Sequence, residues 1–423
     1  MGLNNTPASE RVHIGFFGRR NAGKSSVLNA VTGQDLAVVS DVKGTTTDPV
    51  SKAMELLPLG PVMMIDTPGI DDEGELGALR VKKSYQVLNK TDVAVVVIDA
   101  LCGPAPQDKA LLAKIKEKKI PAVLVLNKSD LTRTGAGESG STPSNTGSEL
   151  PAFPDDPELP VLSVSARTGH GIHELKECLA RLGAPHENER RIVSDLLSPS
   201  DLVVLVVPID KAAPRGRLIL PQQQTIRDIL DADAVSVVVK ETGLKETLKQ
   251  LGQKPKMVIT DSQVFGRVSK DTPSDIMLTS FSILFARYKG SLAPLVKGAA
   301  ALDHIVTGDK ILICEGCTHH RQCNDIGTVK LPGRIRQYTK AEPEFHFTSG
   351  TEFPDDVSAY KLIVHCGGCM LNEREMKYRM QCAQDQCVPM TNYGILIALT
   401  QGILKRSLEP FPTIASLLKD DEQ

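Results

Sequence analysis

His13-Ile14-Gly15-Phe16-Phe17-Gly18-Arg19-Arg20-Asn21-Ala22-Gly23-Lys24-Ser25-Ser26 is the stretch that decides the fold. The apolar run His13 to Phe17 predicts a short buried strand, and Ser26 to Val31 a helix. The segment between them fits a phosphate-binding loop. Gly18 and Gly23 let backbone N–H groups, through Asn21, Ala22 and Ser26, wrap phosphate oxygens; Lys24 reaches the terminal phosphates and Ser25 binds Mg2+. Strand, loop and helix in this order point to an α/β nucleotide-binding domain.

The companions of such a loop follow in order. Gly44-Thr45-Thr46-Thr47-Asp48 reads as a switch loop in which Thr46 offers a hydroxyl to the metal. Met63 to Ile65 reads as a strand ending at Asp66-Thr67-Pro68-Gly69, where Asp66 holds Mg2+ through water and Gly69 senses the γ-phosphate. Lys24, Thr46, Asp66 and Gly69 are thus the candidate catalytic set. Val93 to Ile98 and Val123 to Leu126 read as buried strands. The second ends in Asn127-Lys128-Ser129-Asp130, whose carboxylate suits the two N–H donors of a guanine edge. Val161 to Val164 leads to Ser165-Ala166-Arg167, a loop that backs the base. The expected ligand is GTP with Mg2+, and the expected reaction is its hydrolysis.

Two details refine this. Ile70 follows Asp-Thr-Pro-Gly, and an aliphatic side chain cannot orient an attacking water as glutamine does. The loop with Asn21, together with Gly-Thr-Thr-Thr-Asp, resembles the TrmE–Era group of GTPases. That resemblance implies a K+ ion beside the phosphates, held in part by Asn21.

From about 132 to 160 the chain is rich in Gly, Ser, Thr, Pro and acidic residues, and is expected to be a mobile insertion without a core. Residues 1–183 would form the first domain. Beyond a polar linker, Leu202 to Val207, Val235 to Val239 and Met257 to Thr260 read as strands alternating with helices Gln222 to Leu230 and Leu244 to Leu251. Residues 184–261 are therefore expected to be a small α/β domain that completes its stability by dimerising. Residues 262–423 are expected to be a third α/β region, with Ile276 to Arg287 as a strongly apolar helix.

The third region holds the second chemical signal. Seven of the nine cysteines lie between Cys314 and Cys387. Lys310 to Ile313 and Tyr360 to Val364 read as strands leading into Cys314-Glu-Gly-Cys317-Thr-His319-His320 and His365-Cys366-Gly-Gly-Cys369. If the strands are parallel neighbours, both clusters sit at their carboxyl ends, where open α/β sheets hold ligands. Gathered thiolates take zinc or an iron–sulfur cluster, and the residue types alone leave both open.

A TrmE–Era-type domain, a small middle domain and a terminal Cys-x-His…His-Cys-x-x-Cys region resemble the HydF family of FeFe-hydrogenase maturation GTPases, over essentially the whole chain. The resemblance implies a 4Fe–4S cluster on Cys317, Cys366 and Cys369, with His365 or His319 as the weak fourth ligand. It also implies a dimeric scaffold that receives a di-iron H-cluster precursor from two radical-SAM maturases and passes it to apo FeFe-hydrogenase. The other reading is a TrmE–Era-like GTPase of RNA or ribosome maturation with a structural zinc domain.

Composition bears on that choice. Over 423 residues the net charge is −2, there is no Trp, and aromatics are 4%, so there is neither a basic surplus nor a stacking platform for nucleic acid. No apolar run approaches membrane-span length, and Met1 to Arg11 is unlike a signal peptide. The expectation is a cytoplasmic protein with no membrane or nucleic-acid partner.

Overall fold

The computed structural model describes residues 6–33, 49–71, 74–132, 159–184, 191–209, 218–289, 292–316, 325–350 and 352–418. Thr46, Cys317, His319 and almost all of the expected insertion at 132–160 lie outside the described residues. The chain divides into two compact units, Met1–Asn188 and Glu189–Gln423.

In the first unit, β1 (Val12–Phe17) leads to α1 (Lys24–Thr32), then β2 (Val50–Leu56) and β3 (Gly60–Asp66). There follow α2 (Gly74–Leu88), β4 (Val93–Asp99), α3 (Pro106–Glu117), β5 (Ala122–Asn127), the single turn α4 (Ser129–Thr132), β6 (Val161–Ser163) and α5 (Ile172–Gly183). They build a six-stranded sheet in the order β2-β3-β1-β4-β5-β6, parallel except for the antiparallel edge strand β2. The sheet is buried on both faces, which is why β4 and β5 are apolar without alternation. Val93, Val95 and Val97 face the core under α1 and α5, while Ala94, Val96 and Ile98 face the opposite core with Leu111 and Ile115 of α3.

The second unit contains two four-stranded parallel sheets. The first is built from β7 (Leu202–Val206), α6 (Leu220–Asp231), β8 (Val235–Val239), α7 (Leu244–Gln250), β9 (Met257–Thr260), α8 (Phe265–Asp271) and β10 (Met277–Ser280). Its strand order is β10-β9-β7-β8. The expected apolar helix Ile276 to Arg287 is thus corrected: its first part is β10, and α9 (Phe281–Tyr288) begins only after Ser280. Ser280 accepts from the Ile283 N–H at 3.3 Å and caps that helix. The sheet therefore runs past residue 261, where the sequence reading ends the middle domain.

After α10 (Leu292–Ala299), the other sheet is formed by β11 (Lys310–Glu315), β12 (Glu344–Ser349), β13 (Leu362–His365) and β14 (Met390–Asn392), in the order β12-β11-β13-β14. Helices α11 (Leu331–Thr339), α12 (Glu373–Asp385) and α13 (Tyr393–Thr400) cover it. Period-two alternation splits β11 between two cores: Ile311 and Ile313 pack with Leu331 and Ile335, and Leu312 and Cys314 with Ile363 and Met380. The latter core is continuous with Val203, Leu205 and Ile259 of the first sheet. Among the described residues no helix is long and apolar enough to cross a membrane.

Candidate functional site

The loop from β1 to α1 has the geometry that its residues require. Gly18 stands at φ +142°, where a Cβ would lie 2.2 Å from the Val97 carbonyl oxygen. Gly23 stands at φ +89°, where a Cβ would meet Asn127 Nδ2 at 2.2 Å. Only glycine fits either place. Lys24 Nζ donates to the carbonyls of Gly18 (3.1 Å) and Arg19 (2.8 Å), so the ammonium lies across the loop. Ser25 Oγ donates to Asp66 Oδ2 at 2.6 Å, while Asp66 Oδ1 is buried without a hydrogen-bond partner. Burial holds the Asp66 carboxyl above its ordinary value, against the Ser25 hydrogen bond and the Lys24 charge. A buried carboxylate with one oxygen unsatisfied beside a hydroxyl fits the second shell of Mg2+.

The loop after β3 is stitched to the loop after β1. Arg20 N–H donates to Asp71 Oδ1 at 2.6 Å, and Ile70 N–H to the Gly18 carbonyl at 3.4 Å. Gly69 faces the Arg20 backbone nitrogen, 3.1 Å from where its Cβ would be. Ile70 is 5% exposed and belongs to the core of α2 and α3, so it offers nothing to a water. Asn21 is exposed at φ +61°, a left-handed position that asparagine tolerates.

The base-binding segments converge from β5 and β6. Asn127 donates through Nδ2 to the Ala22 carbonyl (3.1 Å) and accepts at Oδ1 from Ala166 N–H (3.1 Å), tying three loops together. Ser165 Oγ donates to Asp130 Oδ1 at 2.7 Å. Lys128, at φ +68°, pairs with Asp99 at 2.6 Å. Asp99 was not picked out from sequence; its only signal there is its position at the end of an apolar strand.

The two cysteine segments emerge side by side. β11 and β13 are parallel, Cys314 stands opposite His365, and Cys366 N–H donates to the Cys314 carbonyl at 2.8 Å. Cys366 Sγ accepts from Gly316 N–H (3.0 Å) and Gly368 N–H (3.4 Å). Lys289, just beyond α9, donates to the carbonyls of Gly368 and Leu371 and so clamps the turn that carries Cys369. Burial pushes the thiols of Cys366 and Cys369 up, opposed at Cys366 by those N–H bonds and at Cys369 by the Lys289 charge. Cys314 is buried in the apolar core, which pushes its thiol to about 11 and keeps it neutral. His365 is fully buried: Nδ1 is 2.7 Å from the Cys366 carbonyl and Nε2 is 3.0 Å from Arg379 Nη1. Burial, then the Arg379 charge, lower His365 to about 3. Among the described residues no group of three or more His, Cys, Asp or Glu gathers as a metal cage.

Glu375 and Arg379 were missed from sequence. Their i, i+4 spacing on the helix after the cysteines was visible, but their burial was not.

Comparison with known proteins follows this division. Residues 13–128 match the family described as 50S ribosome-binding GTPase, 192–290 the hydrogen maturase F dimerization domain, and 293–410 the hydrogen maturase F tetramerization domain. A tRNA modification GTPase MnmE from Synechococcus sp. (strain JA-3-3Ab) is 37% identical over 183 residues, 42% of this chain and 36% of that protein. A GTPase Der from Wolinella succinogenes is 31% identical over 195 residues, 45% and 39% of the two chains. The matches thus span well under half the length of these relatives. Among solved structures, an Aquifex aeolicus Era variant bound to GDP and aluminium fluoride is 20% identical, with a TM-score of 0.36, covering 57% of this chain and 98% of that one. The amino-terminal unit is a P-loop GTPase domain, and with both maturase-specific domains behind it in order, the chain belongs to the hydrogen maturase F family.

Proposed function

We propose that this protein is a GTP-hydrolysing scaffold that carries a 4Fe–4S cluster, accepts the di-iron H-cluster precursor from two radical-SAM maturases, and delivers it to apo FeFe-hydrogenase. It would work in the cytoplasm as a homo-oligomer, as its dimerization and tetramerization domains suggest. The observation that supports the cluster half is the register of β11 and β13, which sets Cys314, three residues before Cys317, opposite His365, the residue before Cys366. The donor set fits: thiolates match a cluster's softness, and backbone N–H groups already point at Cys366 Sγ. Loading displaces protons from thiols that burial keeps neutral. When bound, the cluster supplies an iron whose position without thiolate exchanges its ligand, which suits a carrier.

In the GTPase half, Lys24 and the loop N–H groups neutralise phosphate charge, and Ser25 and Asp66, with Thr46, serve Mg2+. Asp130, held by Ser165, reads guanine. With Ile70 buried, a K+ ion at Asn21 is the charge-compensating element; hydrolysis should run several-fold faster in K+ than in Na+, and equal rates would remove it. Hydrolysis regulates delivery rather than the cluster's chemistry.

The deciding experiment is metal analysis of anaerobically purified protein. Iron and sulfide in equal amounts, about four of each per chain, are expected for a cubane. Zinc without sulfide would overturn the cluster and leave a GTPase with a structural zinc domain.

A further inference from the structure

Arg379 is fully buried, although it lies on a helix of otherwise mixed polarity. Every face of its guanidinium is used. Nε donates to Glu375 Oε1 at 2.9 Å, Nη1 reaches His365 Nε2 at 3.0 Å, and Nη2 donates to the Gly350 carbonyl at 2.9 Å. Its Cζ lies 5.3 Å from the centre of the Phe353 ring. One side chain thereby joins the segment after β12, the end of β13 and the helix α12.

The chemistry of these partners fixes the histidine. A guanidinium only donates, so His365 Nε2 must accept. A backbone carbonyl only accepts, so His365 Nδ1 carries the proton and donates it to Cys366 O, 2.7 Å away. A metal ligand needs a lone pair on a ring nitrogen. His365 has one, on Nε2, and Arg379 caps it.

We propose that His365 does not ligate the cluster: with Arg379 and Glu375 it is a buried positioning unit that holds the Cys366–Cys369 turn. The inference rests on the cluster reading above. His365 acts by gripping the Cys366 carbonyl, and Arg379, its charge balanced by Glu375, acts through His365.

The test uses the full chain in two forms. In metal-free protein labelled with 15N-histidine, one imidazole should show the Nδ1–H tautomer, and that signal should vanish in His365→Gln. The Nε2–H tautomer at His365 would overturn the proposal whether or not a cluster ever binds. In anaerobically loaded protein, His365→Gln should keep its iron and sulfide, and pulsed electron paramagnetic resonance should show the same nitrogen couplings as the unmodified protein. Loss of a strong nitrogen coupling would make His365 a ligand and sink the idea. Arg379→Met, which removes the donor to Nε2, should erode the Nδ1–H preference, and an unchanged signal would remove Arg379 from the unit. Unmodified protein that takes up no iron would defeat the cluster reading, while the tautomer measurement still decides the positioning unit.

Discussion

Lys24 is the residue on which nucleotide chemistry turns. Its ammonium already spans the loop between the Gly18 and Arg19 carbonyls, where phosphate charge must be met. Lys24→Ala should reduce GTP hydrolysis on the order of a hundredfold or more, read as phosphate release, with the melting temperature little changed. Asp66 adds a pH dependence. Its carboxyl is held above its ordinary value because it is buried, and Mg2+ competes with that proton. Affinity for Mg·GTP should therefore fall on acidification sooner than an exposed carboxylate would allow, and a titration of binding against pH in Asp66→Asn should lose that step. The loop glycines, Lys24, Ser25 and Asp66 were legible because their spacing is itself the chemistry. The buried ligands of His365 were not, because nothing in a linear sequence says that Arg379 lies under a turn that begins with Cys366.

Elements were legible where they were long and apolar. β1, β4, β5 and β11 stood out, since strands buried on both faces need no polar interruption. β2 escaped notice: it is an edge strand with exposed Ser51, Lys52 and Glu55, and its antiparallel pairing with β3 alone makes it a strand. β10 was absorbed into a helix because Met277–Ser280 and Phe281–Tyr288 form one apolar run; Ser280 was the overlooked punctuation. The same device starts α13. Asn392 Oδ1 accepts from Ile395 N–H at 2.8 Å, and the residue is 3% exposed. Asn392→Ala should cost about 1–2 kcal/mol, seen as a lower denaturation midpoint of the second unit, with GTP hydrolysis intact.

The phosphate-binding loop and the Cys366–Cys369 turn lie in separate compact units, divided near Asn188. Cys366→Ser should therefore lose bound iron while GTP turnover survives. A comparable fall in both would show that the cysteine turn also governs the nucleotide site. The order of domains could be read from motifs, but the extent of the middle sheet could not. The strand that completes the sheet, Met277–Ser280, joins β9 by a pairing that no local pattern announces.

The apolar core that runs from Val203 and Ile259 of one sheet to Leu312 and Ile363 of the other makes them thermodynamic partners. Neither sheet can open without exposing the flank of its neighbour, so residues 189–423 should unfold in one calorimetric transition, and a chain cut after residue 290 should aggregate. By mass action, whatever binds only the folded cysteine turn withdraws unfolded molecules from the equilibrium for both sheets at once. A load at about a hundred times its dissociation constant would add about 2.7 kcal/mol to that common transition. The oligomer-forming half would thus be hardest to melt when its cargo is aboard.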